Sequence, residues 1–484
     1  MAEETWKTAV VEHRKELDLL IPAEWKLSKE FRASLPADGR LLQADPLLQR
    51  LAWGDVSSLA VTTAFCKRAA IAQQLTSCLT EHFFAPALDR ARYLDDYLKR
   101  EGKVVGPLHG LPISIKDSFQ VKGLYTTVGY VSFLKNGPAT ENSALVDLLL
   151  DLGAVLYVKT NIPQTLMTAD SENNIYGRTL NPHNTNLTAG GSSGGEDRVP
   201  FDGQISGVAE ETPMISPSAG PLAQCFDDLE LFMSRVLAAG PWRYDTTAAA
   251  VPWNRHAELQ SLFTIGIPPE DKHFPLHPPV KRALESAIEA LKQKGHRIIR
   301  LPSDPARDLA DANRLAFEYF TYGPRLDHIT PSGEPVVTSV ATLPSPMFSG
   351  PCYLSQDLGD FEKIKTLQIA RKKYSDAWRK TIVENEVDVI LAPGAQNTGV
   401  PHDSYGWPPY TATWNLLNYP ACIIPYGKAS KELDPEPMVV GGGQPSYDPE
   451  AVDGTPCALQ IVAPRFQDEK CLSAARIIDR DIRV

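Results

Sequence analysis

The sequence predicts an α/β fold, because a helix and a short apolar strand follow one another in the same order three times, with a glycine between them in the first two. A helix that stops at a glycine and leads into a buried strand is the αβ unit of a mainly parallel sheet. In the first unit the predicted helix covers residues 144–152, and the strand covers 154–158 and ends at Lys159. The other two units span residues 279–301 and 382–394.

The apolar side chains of the first 100 residues have helical spacing, which predicts an N-terminal helical arm over residues 1–75. The same helical spacing continues through Leu79. Residues 76–484 are assigned to one large domain. Two proline- and glycine-rich stretches within it, 330–351 and 393–454, are predicted to be long loops that line or cover a substrate pocket.

A strand with a lysine on its polar side is predicted where the period changes from helical to alternating. Leu111, Ile113 and Ile115 share one face of this strand, and Lys116 lies on the other. Partial desolvation favours the neutral amine form of a lysine side chain, so Lys116 is a candidate base. The alternative is a structural lysine that lies in water or pairs with Asp117.

Composition indicates a sizeable enzyme and excludes several other classes of protein. A chain of 484 residues, 43% of them hydrophobic, can bury a large core. A net charge of -11 without a basic cluster argues against a nucleic-acid partner. Seven scattered cysteines and an N-terminus without a signal peptide predict a cytoplasmic protein, and no apolar run has the length of a membrane span. His109 and His402 lack partners at metal-ligand spacing, so neither is expected to bind a metal. No metal or organic cofactor is expected.

The most informative segment is the glycine-serine run over residues 188–196. A phosphate-binding loop is excluded, because no Gly-Lys-Ser/Thr follows. A G-x-S-x-G esterase elbow centred on Ser193, with His402 as its base, needs a preceding apolar strand, whereas residues 181–187 are polar. The third interpretation is a serine that relays protons between a lysine and another nucleophile.

Together these segments resemble the amidase signature family, most closely its fungal acetamidase-like, general-amidase branch. The resemblance covers nearly the whole chain, and the motifs occur in the family's order. The matching segments are 106–117, 159–165, 171–182, 188–196, 220–223, 391–394, 418–421 and 459–462.

The resemblance implies a mixed central sheet covered by helices on both faces and a cofactor-independent hydrolysis of carboxylic amides by a Ser-Ser-Lys triad. Lys116 would be the neutral base, and Ser192 would relay the proton. Ser193 would help to orient the site, and Leu166 would lie near the acyl group. The expected substrate is a small-molecule amide, and a homodimer stays open.

One part of the family's pattern is absent from this sequence. The acyl-forming serine should follow the glycine-serine run in a Gly-Thr-Asp-Ile-Gly-Gly-Ser-type segment, but the chain passes from Glu196 almost directly to Arg198. Ser216 lacks the neighbouring glycines of an oxyanion hole. One core strand region is therefore expected to be missing, and the chain is expected to be nearly inactive. A misplaced splice boundary and a genuine loss both stay open, as does a non-catalytic amidase-fold binding protein.

Overall fold

The computed structural model describes residues 2–27, 44–166, 168–191, 215, 219–246, 248–254, 261–320, 326–342, 354 and 357–483. The chain divides into two compact units. The first comprises 1–210, 217–253 and 324–341, and the second comprises 211–216, 254–323 and 342–484. No helix in the described ranges is both long enough and apolar enough to cross a membrane.

Helices and strands alternate along much of the chain. The helices are α1 (Ala2–Leu19), α2 (Ala44–Trp53), α3 (Ser58–Thr76), α4 (Phe84–Glu101), α5 (Ala144–Asp151), α6 (Phe226–Ala238), α7 (Pro278–Gln293), α8 (Leu309–Phe320), α9 (Thr338–Ala341), α10 (Asp360–Glu384), α11 (Pro409–Leu417), α12 (Pro449–Val452) and α13 (Asp468–Ile482). The strands are β1 (Leu79–His82), β2 (Pro112–Lys116), β3 (Val155–Thr160), β4 (Glu172–Asn173), β5 (Gly177–Arg178), β6 (Thr264–Ile267), β7 (Arg297–Arg300), β8 (Val389–Pro393), β9 (Ala421–Lys428) and β10 (Pro456–Val462). The three predicted αβ units are thereby confirmed as α5–β3, α7–β7 and α10–β8.

The first unit contains a three-stranded mixed sheet in the order β1-β3-β2. Strand β1 runs antiparallel to β3, and β2 runs parallel to it. Val155 packs in one core cluster with Ala70 of α3 and Ala91 of α4. Its neighbour Leu156 packs in another cluster with Leu148 of α5. Because adjacent strand residues face opposite sides, this sheet has helices on both faces, as predicted.

The second unit contains a five-stranded mixed sheet in the order β7-β6-β8-β10-β9. The β7, β6 and β8 strands are parallel, whereas β10 is antiparallel to both β8 and β9. Ile390 and Val462 pack in one core cluster with Trp378 and Trp414. These residues anchor α10 and α11 to the sheet.

Two predictions about local structure are wrong. The helical pattern does not continue through Leu79, because α3 ends at Thr76, Ser77 follows in the left-handed conformation (φ 52°), and Leu79–His82 is a strand. All four of its residues are buried, and Leu79 lies opposite Thr160 of β3. Pairing with β3 therefore overrides the local helical spacing.

The second error concerns the stretch 393–454, for which the sequence predicts loop. It contains helix α11 and strand β9. Seven of the nine residues of α11 are buried, so the helix lacks the polar face that makes helical periodicity visible in a sequence. The helical arm over residues 1–75 stays a prediction.

Helix α1 is held to the rest of the first unit by polar contacts, of which those at His13 and His82 are buried. His13 Nε2 lies 3.0 Å from Glu81 Oε1, and both side chains are buried. The Arg14 guanidinium donates to the carbonyl of Ile175. The His82 ring also bonds to this helix, with Nε2 2.5 Å from the carbonyl oxygen of Leu17.

Acidification is expected to weaken the attachment of α1 through His82. Burial is the largest effect on the pKa of His82 and lowers it from 6.5, although the Leu17 carbonyl opposes the shift. Below about pH 6.5 the unfolded chain therefore binds a proton more readily than the folded one, and stability present above that pH is lost as the pH falls. Amide hydrogen exchange in α1, corrected for intrinsic rates, should rise between pH 7.5 and 5.5. In His82→Gln, which can still donate to Leu17, this rise should be smaller, and an equal rise would contradict the assignment.

Candidate active site

Lys116 is the last residue of β2, whose side chains alternate as predicted. Ile115 is buried in a core cluster, and Leu111 and Ile113 pack against the same cluster. Lys116 is half-buried and lies opposite Thr160 of the parallel strand β3. The strand therefore presents its lysine on the side away from that cluster.

Asp117 follows the strand and is completely buried. Its carboxylate accepts hydrogen bonds from the Thr80 hydroxyl at 2.9 Å and from the backbone amides of Thr127 and Val128 at 3.2 and 2.9 Å. The Lys159 ammonium lies 3.4 Å from Asp117 Oδ1. These contacts fix the chain immediately after Lys116.

Lys159 is also completely buried. Its ammonium donates to the carbonyl of Tyr125 at 2.7 Å and to Thr126 Oγ1 at 2.8 Å. Burial lowers the pKa of Lys159, and the Asp117 carboxylate opposes this shift. This pair was not predicted from the sequence, because a lysine that ends an apolar strand is usually solvated. In fact β3 continues to Thr160, and the only sequence signal was an acidic residue beside Lys116.

Leu166 lies in a short loop with unusual backbone geometry. Thr165 and Leu166 have φ values of 71° and 58°, a left-handed conformation that is costly for a β-branched residue. Leu166 is half-buried and packs against a cluster that includes Tyr130 and Ile162. Its proximity to an acyl group stays a prediction.

Glu334 anchors this loop and was not predicted from the sequence. Its buried carboxylate accepts from Gln164 Nε2 at 3.0 Å, Asn174 Nδ2 at 2.8 Å and the Val131 amide at 2.7 Å. Burial raises the pKa of Glu334, and these donors oppose the shift. Glu334 falls in the predicted loop 330–351, where no periodicity marks it as buried.

The start of the glycine-serine run is fixed against the segment that follows Leu166. Gly190 forms a bridge with Asp170, and its carbonyl accepts a hydrogen bond of 2.9 Å from Ser171 Oγ. A side chain at Gly191 would place its Cβ 2.7 Å from the carbonyl oxygen of Thr168. Glycine is therefore required at this close approach.

The predicted serine sites lie outside the described residues. These are Ser192 and Ser193, which follow Gly191 directly, and Ser216. The junction at which the acyl-forming segment is expected to be missing also lies outside them. The structure brings Lys116, Leu166 and the glycines before Ser192 into the same compact unit.

The two histidines considered as ligands have different surroundings. His109 is buried, its Nδ1 accepts a 3.1 Å hydrogen bond from the Val105 amide, and burial lowers its pKa. His402 is half-buried. Over the part of the chain that the structure describes, no group of three or more His, Cys, Asp or Glu side chains is arranged to hold a metal ion.

Comparisons with known proteins identify the family. A family model described as "Amidase" matches residues 60–199 and 196–472. An "Amidase" of Gibberella moniliformis is 36% identical to this chain, and the alignment covers 99% of both chains. An "Acetamidase" of Emericella nidulans is 32% identical, covering 99% of this chain and 98% of the relative.

Solved structures agree with this result. A fatty acid amide hydrolase superposes with a TM-score of 0.86 at 27% identity, covering 100% of this chain and 96% of the other. A bacterial aryl acylamidase of the amidase signature family superposes with a TM-score of 0.69 at 17% identity, covering 91% and 96%, and supports the fold alone. The chain therefore belongs to the amidase signature family of hydrolases.

Proposed function

We propose that this lineage hydrolyses the C–N bond of carboxylic amides through a Ser-Ser-Lys mechanism. The observation that carries the proposal is a half-buried Lys116 on a strand end fixed by Asp117, in the same unit as the immobilised glycines that lead into Ser192. The substrate is a small-molecule amide, with Leu166 beside its acyl group. The cytoplasmic location and a homodimer stay predictions.

The proposed roles account for each proton. The hydroxyl of the acyl-forming serine attacks the carbonyl carbon, and its proton passes through Ser192 to neutral Lys116. The proton returns through Ser192 to the leaving nitrogen as the C–N bond breaks. Water then hydrolyses the acyl-serine ester, while Ser193 helps to orient the site.

We further propose that this chain lacks the acyl-forming serine and the adjacent oxyanion-hole amides. Two observations support the gap. The family match breaks and restarts at residues 196–199. The alignment with the Gibberella moniliformis amidase spans 540 positions while the chain has 484 residues, so at least 56 positions have no residue of this chain. Losing a nucleophile costs about a millionfold in rate, and losing one oxyanion donor costs about a hundred- to a thousandfold.

A fluorophosphonate probe tests this proposal together with a sensitive amide-hydrolysis assay. We expect neither serine labelling nor hydrolysis above background in this chain, while the Gibberella moniliformis amidase, run in parallel, should be labelled. Covalent labelling of any serine here would overturn the predicted inactivity, and its loss in Ser216→Ala would identify Ser216 as the nucleophile. Reversible binding of an amide without labelling would instead indicate an amidase-fold binding protein.

A further inference from the structure

We propose that Lys159 is a positioning residue for the base of this site. Its buried ammonium neutralises the Asp117 carboxylate, which follows Lys116 in the chain, and thereby allows Lys116 to lose its proton. This inference rests on the proposed role of Lys116 as the base. It assigns a function to an ion pair that the mechanism above does not use.

Hydrogen-bond donors surround the buried Asp117 carboxylate. Two backbone amides and the Thr80 hydroxyl donate to its carboxylate. Hydrogen bonds of this kind favour the ionised form of a carboxyl group. These donors and the Lys159 ammonium, 3.4 Å from Asp117 Oδ1, therefore all act on the same buried carboxylate.

The donors of the buried Lys159 ammonium match the acceptors around it in number. An ammonium has three donors, and three acceptors surround that of Lys159: the carbonyl of Tyr125, Thr126 Oγ1 and Asp117 Oδ1. Both side chains of the pair are 0% exposed. Removal of the ammonium would leave the buried Asp117 carboxylate without this counter-charge.

An unpaired charge at Asp117 would act on Lys116, its neighbour in the chain. Adjacent strand residues point to opposite faces, and for a separation of the two charged groups on the order of 10 Å their Coulomb interaction is small but measurable. At the effective dielectric constant of about 20 that describes protein sites, an unpaired charge at this distance shifts a titration by roughly one pH unit. A negative charge stabilises the ammonium, so the shift is to higher pH.

Other charged groups near the pair are the same in every comparison. Glu81 contributes to the electrostatic environment of Lys159, and it contacts His13 and the Tyr176 hydroxyl at 3.0 and 3.2 Å. None of these three residues is changed in the variants below. A difference between variants is therefore attributable to the Lys159–Asp117 pair.

The experiment measures acylation of Lys116 by a small amine-reactive reagent between pH 7 and 11, quantified by peptide mass spectrometry. Lys159→Met is expected to raise the midpoint of Lys116 reactivity by about one pH unit, which lowers the rate at pH 8 roughly tenfold. Lys159→Met/Asp117→Asn removes both charges and should restore the wild-type midpoint. Exposed Lys122 is the reference within the same protein.

Two variants separate the charge effect from general destabilisation. Thr80→Val removes a hydrogen bond to Asp117 but keeps both charges. The melting temperature should therefore fall, while the pH midpoint of Lys116 reactivity should not change. Lys281→Met breaks an exposed ion pair with Glu270 and should change neither quantity.

An unchanged midpoint in folded Lys159→Met would overturn the proposal. If that variant does not fold, Asp117→Asn decides, because it leaves the Lys159 ammonium without its counter-charge: the midpoint should then fall by about one pH unit, and an unchanged midpoint would contradict charge neutralisation. The assay requires no amide hydrolysis, so its outcome is independent of the fluorophosphonate result.

Discussion

Insertion of the segment that we propose is missing after Glu196 is expected to raise amide hydrolysis by up to about a millionfold, the factor associated with a nucleophile. The donor is the part of the Gibberella moniliformis amidase that aligns with the gap. The physical reason is that the proposed base and relay precede the gap in the chain and need only the attacking hydroxyl and its oxyanion donors. The measurement is the steady-state rate with a chromogenic amide, together with fluorophosphonate labelling.

Three controls accompany the insertion. The same insertion with its acyl-forming serine changed to alanine should restore folding contacts but no activity. In the active insertion variant, Lys116→Met and Ser192→Ala should each remove most of the gain, because the residues of a triad act as a unit. An insertion variant that folds but neither hydrolyses amides nor reacts with the probe would count against the roles assigned to Lys116 and Ser192.

Gly106→Ala is expected to destabilise the first compact unit by about 1–3 kcal/mol, a typical cost of overpacking. An added Cβ would lie 2.5 Å from the carbonyl oxygen of Leu152 and 2.7 Å from its carbonyl carbon. These are backbone atoms, so no side-chain rotation relieves the clash. Thermal unfolding should show a lower melting temperature.

Gly441→Ala is the matched control for this substitution. A Cβ added at Gly441 would have no atom of the described residues within 4 Å, and this glycine does not have a positive φ. Its replacement should be neutral or slightly stabilising, because alanine reduces the conformational entropy of the unfolded chain. Equal melting temperatures for Gly106→Ala and wild type would contradict this prediction, because they would show that the backbone around Leu152 moves at little cost in free energy.

The close approach at Gly106 explains why a glycine-rich motif precedes the lysine strand. The Leu108 amide donates to the Leu152 carbonyl at 2.9 Å, and the Gly110 amide donates to the Gly153 carbonyl at 2.8 Å. These bonds set the register of β2 beside β3. They consequently determine where Lys116 emerges from the sheet.

Local sequence was sufficient for elements whose pattern matches their burial. The alternation before Lys116 predicted β2, and the apolar stretches followed by glycine predicted α5–β3 and α7–β7. It was insufficient for β1, whose pairing with β3 replaced the helical spacing around Leu79. It also failed for α11, because a helix buried on nearly all sides shows no amphipathic period.

The sequence by itself determined the α/β class and the order of the family motifs, and it predicted the base Lys116 and an interruption after Glu196, because these are properties of residue order and local period. Only the tertiary structure decided that Lys159 is buried against Asp117 and that Glu334 holds the loop containing Leu166. The physical reason is that a buried charge is tolerated only where distant segments supply its partners. Those partners, such as Thr80 for Asp117 and Asn174 for Glu334, become neighbours only when the chain folds.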